Sequence, residues 1–78
     1  MSGLAFISAD KNDLVCQQIL SVVKNWLPEE GECKPSGVCF AVAELGAVTY
    51  GDCAEQLSVL LQQGNLKLEP LDRGLYIP

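Results

Sequence analysis

The stretch from Thr49 to Pro78, TYGDCAEQLSVLLQQGNLKLEPLDRGLYIP, constrains the chain more than any other. Thr49 and Asp52 have the spacing of a capping box, although Asp is a weaker partner at the third position than Glu or Gln. Cys53, Ala54, Leu57, Leu60 and Leu61 then recur at three- and four-residue intervals, which predicts one apolar side of a helix. The opposite side carries Asp52, Glu55, Gln56, Val59, Gln62 and Gln63. Gly64 stops the helix, because a left-handed residue costs least without a Cβ, and Leu66 is placed to fold back onto Leu60 or Leu61. Beyond it Leu66 and Leu68 alternate with Lys67 and Glu69, as in a strand with one buried face. Pro70-Leu71-Asp72-Arg73-Gly74 supplies a turn, and Leu75-Tyr76-Ile77 returns as a second strand.

Length sets the scale for what surrounds this element. A chain of 78 residues makes one domain, residues 1–78, near the size at which a single core is just sufficient. An apolar fraction of 49% with 19% charged residues fits a folded globule rather than a disordered chain. The N-terminus lacks a charged region followed by an apolar core and cleavage site, and no apolar run reaches membrane-spanning length. The expectation is therefore a cytoplasmic protein without membrane contact, its cysteines reduced.

The pattern L-x-x-L-L-x-x-G-x-L, followed by a polar turn and R-G-x-Y, resembles the last helix and wing of a winged helix-turn-helix domain. Val42-Ala43-Glu44-Leu45-Gly46 is similar to the end of such a domain's second helix, with Gly46 in the turn. The resemblance covers residues 36–77 through degenerate motifs, and the turn at Ala47-Val48-Thr49-Tyr50 is longer than usual for the family. It implies an α+β fold, a three-helix winged-helix-like domain with a C-terminal β-hairpin wing. It also implies a transcriptional regulator whose last helix enters the major groove of duplex DNA. On that reading Gln56 faces adenine, and Lys34, Lys67 and Arg73 meet the nucleic acid from the loop and wing. Some small winged-helix proteins of bacterial iron transport carry a cysteine cluster in the wing; here the wing has none.

Charge weighs against the DNA reading. The net charge is −5, and Lys11, Lys24, Lys34, Lys67 and Arg73 are scattered. Neutralising phosphates supplies most non-specific affinity for DNA. Asp52 and Glu55 sit on the very face that would approach phosphates, with no basic residue on that helix.

In the N-terminal half, Leu4-Ala5-Phe6-Ile7-Ser8 reads as an edge strand or as an arm over the core or a partner subunit, the core of its own chain being favoured. Asp10 is placed as the N-cap of a helix, with Asp13 in the first turn. Apolar pairs follow at Val15/Cys16, Ile19/Leu20, Val22/Val23 and Trp26/Leu27, and Pro28 ends the pattern. Trp26 reads as a core anchor rather than a ligand platform. Ser36 is placed to cap a second helix whose face holds Val38, Cys39, Val42 and Leu45. The same run is rich in strand formers, and Glu44-Leu45-Gly46 could turn a hairpin into Ala47–Tyr50, so both readings stand at this point.

No constellation points to catalysis. Histidine, the commonest general base and metal ligand, is absent. Glu29, Glu30 and Glu32 cluster in a loop with no adjacent nucleophile, and a solvated loop is the simpler reading. Cys33 and Cys39 miss the spacing of a structural zinc pair; Cys16 and Cys53 fall on apolar stripes, where cysteine packs as a small hydrophobe. The expectation is a non-enzyme without cofactor or metal, acting through a protein partner or as a homodimer. Its partner-binding face would comprise Glu55, Gln56 and Val59 with Leu71 and Tyr76 of the wing, because Val59, Leu71 and Tyr76 lie off the buried stripes.

Overall fold

In the first helix of the computed structural model, α1 (Lys11–Lys24), the apolar stripe is expressed as sequence spacing requires: Val15, Ile19 and Val23 are buried four residues apart. The structure describes residues 11–46, 48–71 and 74–78. The Asp10 cap and the Leu4–Ser8 arm therefore lie outside the described residues. The stripe does not run on to Leu27. The helix ends at Lys24, and Asn25 Nδ2 donates to the Ser21 carbonyl at 2.9 Å. Trp26 then folds back on the core, its Nε1 donating to the Gly31 carbonyl at 3.0 Å. A short 3-10 turn, Pro28–Glu30, follows, and the Glu30 carboxylate accepts from Leu27 N–H at 2.8 Å. Part of the acidic loop is thus a cap, not only a solvated cluster.

The second helix, α2 (Pro35–Glu44), settles the run that sequence left open: Val38–Val42 is helical, and the hairpin reading falls. Val38, Cys39 and Val42 form one helical face that meets both other helices, and that burial overrides their strand preference. Ser36 is not the cap. Pro35 occupies the first turn, where a missing N–H costs nothing, and Lys34 precedes it with no side-chain capping bond. Leu45, expected on the buried face, is exposed at the C-terminal end. Gly37 takes its place on α2 where Trp26 crosses; a Cβ there would stand 3.2 Å from the indole.

The third helix, α3 (Tyr50–Gln63), is demarcated as its sequence predicts. Thr49 Oγ1 accepts from Asp52 N–H at 3.1 Å, and Gly64 at φ 81° closes the far end through bonds to the Leu60 and Leu61 carbonyls. Leu66 returns over that end, fully buried, its N–H on Leu60 O. Cys53, Leu57 and Leu60 face the core; Ala54, expected there, is exposed.

The three helices pack pairwise around one core, and a two-stranded antiparallel hairpin follows them: an α+β arrangement. Its strands, β1 (Lys67–Leu68) and β2 (Leu75–Tyr76), pair Lys67 with Tyr76 and Leu68 with Leu75. β2 leans on α1, and Leu75 N–H donates to the Cys33 carbonyl at 2.6 Å. The loop before α2 thereby joins the hairpin from its other side. Leu68 is exposed, contrary to the alternation expected from Leu66, although Leu75, paired opposite it, is buried.

Candidate partner-binding surface

The proposed face is only partly assembled. On α3, Glu55 is exposed and Val59 half-buried, but Gln56 is 8% exposed and belongs to the core. Position 56 shares a face with Cys53, Leu57 and Leu60 through three- and four-residue steps. Its amide oxygen is met there by the Cys16 thiol of α1, 3.6 Å away. A polar residue inside the stripe was read outward on its polarity alone; helical position is the signal that would have corrected it. Burial removes Gln56 both from the partner face and from base reading.

The hairpin also carries exposed apolar side chains. Leu71 is 90% exposed at the turn, and Leu68 and Tyr76 are exposed on opposite faces of the ribbon, with Ile77 exposed beyond them. A shallow depression of about 280 Å³ lies where the hairpin meets the loop, lined by Glu32, Cys33, Glu69, Gly74, Leu75 and Tyr76. Its rim carries two carboxylates. Lys34 is bound to Glu32 at 3.1 Å, so its charge is partly neutralised, and Lys67 stands exposed on β1. Arg73 lies outside the described residues.

Cys16, Cys39 and Cys53 meet one another in the core, whereas Cys33 lines the depression beside the hairpin. All four are free thiols, Cys39 and Cys53 buried, Cys16 and Cys33 half-buried. Burial, then the neighbouring Cys39 and Cys16 thiols, push Cys53 up to about 12 from its ordinary 9.0. Burial also raises Cys16, helped by Asp13, and raises Cys33, where a backbone bond from Leu75 opposes the effect. Such thiols stay protonated and unreactive at neutral pH. Among the described residues no group of three Cys, Asp or Glu is placed to hold a metal ion, and no helix is long and apolar enough to cross a membrane.

A second exposed apolar surface escaped the sequence reading. On the outer side of α2 Phe40 is 62% exposed, and its ring lies 5.0 Å, centroid to centroid, from that of Tyr50, itself 41% exposed at the start of α3. The available signal was charge: from Pro35 to Gly51 the only charged residue is Glu44. Compared with protein-family models, with curated proteins and with solved structures, the chain matches none.

Proposed function

We propose that this chain is a small non-catalytic winged-helix-like module that acts through protein contacts as a regulator or adaptor, its hairpin serving as part of the docking surface. The order of three helices and a hairpin supports the family reading, as does the bond from Leu75 to Cys33, which gives β2 a neighbour on each side. The observation that carries the choice of partner is the chemistry of the hairpin side. Exposed Tyr76 lines a depression that Glu32 and Glu69 also line, and Leu68 and Leu71 are exposed elsewhere on the hairpin and its turn. Apolar and aromatic groups with acidic neighbours suit a protein surface bearing basic side chains; the same carboxylates repel phosphates.

The DNA-regulator reading is the weaker alternative. Gln56 is buried, Lys34 is paired with Glu32, and the outward side of α3 presents Glu55. The test combines Val59→Glu with Tyr76→Ser, which leaves the fold in place because neither residue is fully buried. Partner capture from host lysate, followed by direct titration of the captured protein, is expected to be lost in the double variant. Tight binding of duplex DNA at physiological salt by the wild type, in fluorescence anisotropy, would replace this reading with its alternative.

A further inference from the structure

We draw no further inference here: the strongest candidate, the exposed aromatic patch of Phe40 and Tyr50 on the outer side of α2, carries nothing, because nothing in the structure shows what covers it.

Discussion

Helices α2 and α3 are neighbours in sequence and in space, yet they are specified by different means. α3 carries its own boundaries: a threonine whose hydroxyl receives the Asp52 N–H, and a glycine at positive φ that receives the chain as it turns away. Its outward residues include Asp52, Glu55, Ser58, Gln62 and Gln63, so polarity marks most of its outer side, buried Gln56 and exposed Ala54 excepted. α2 has fewer such signals. It begins at Pro35 after an uncapped lysine and is followed by Gly46 at φ 84°, but it holds one charge and exposes Phe40 on the side away from the core. A helix of strand-forming residues with little polar contrast can still be required by its neighbours. In α2, Val38, Cys39 and Val42 are buried together on the side that meets α1 and α3.

The strongest way to break this contrast is to remove the tertiary support. Val42 is fully buried, and Val42→Asp would leave an unpaired charge in the core. The expected loss is about 3–5 kcal/mol, a large share of what a domain of this size possesses. Glu55→Ala on the exposed side of α3 should change stability by less than about 0.5 kcal/mol. Urea unfolding of both variants checks the pair. A Val42→Asp protein that unfolds like the wild type would mean α2 does not depend on that face.

A smaller effect sharpens the contrast at the helix starts. Thr49→Ala removes the capping acceptor and should cost about 1 kcal/mol. Lys34→Ala removes no capping bond, only an exposed pairing with Glu32, and its effect should lie within about 0.5 kcal/mol. Equal losses at the two positions in thermal unfolding would show that both helix starts depend on their side chains alike.

A further effect is confined to alkaline pH and rests on the buried Cys53 thiol. Cys53 has its folded pKa raised from 9.0 to about 12. The folded state thus favours the protonated thiol, and that contribution is complete below the unfolded value near 9. It is lost as pH rises toward the folded value. Stability should decline across this window, and Cys53→Ala should flatten the decline while leaving neutral-pH helicity intact. Unfolding midpoints measured at successive pH values between the two limits would show it; an equally steep fall in Cys53→Ala would assign the effect to other groups.

Local chemistry determined much of this protein in advance. The ends of α3, the return of Leu66 and the place of the hairpin follow from Thr49, Gly64 and Pro70–Gly74, because caps and turns act over a few residues and need no distant partner. The buried spacing of Val15, Ile19 and Val23 follows from helical period alone. What lay beyond reach of the sequence was every choice that depends on an opposing surface. Val38–Val42 suited strand or helix until α1 and α3 offered it a face. Trp26 lies beyond the end of α1 and packs over Gly37. Leu68 is outside although Leu75, paired opposite it, is inside. Side-chain polarity is a property of one residue; burial is a property of what stands across from it, and only the tertiary structure supplies that.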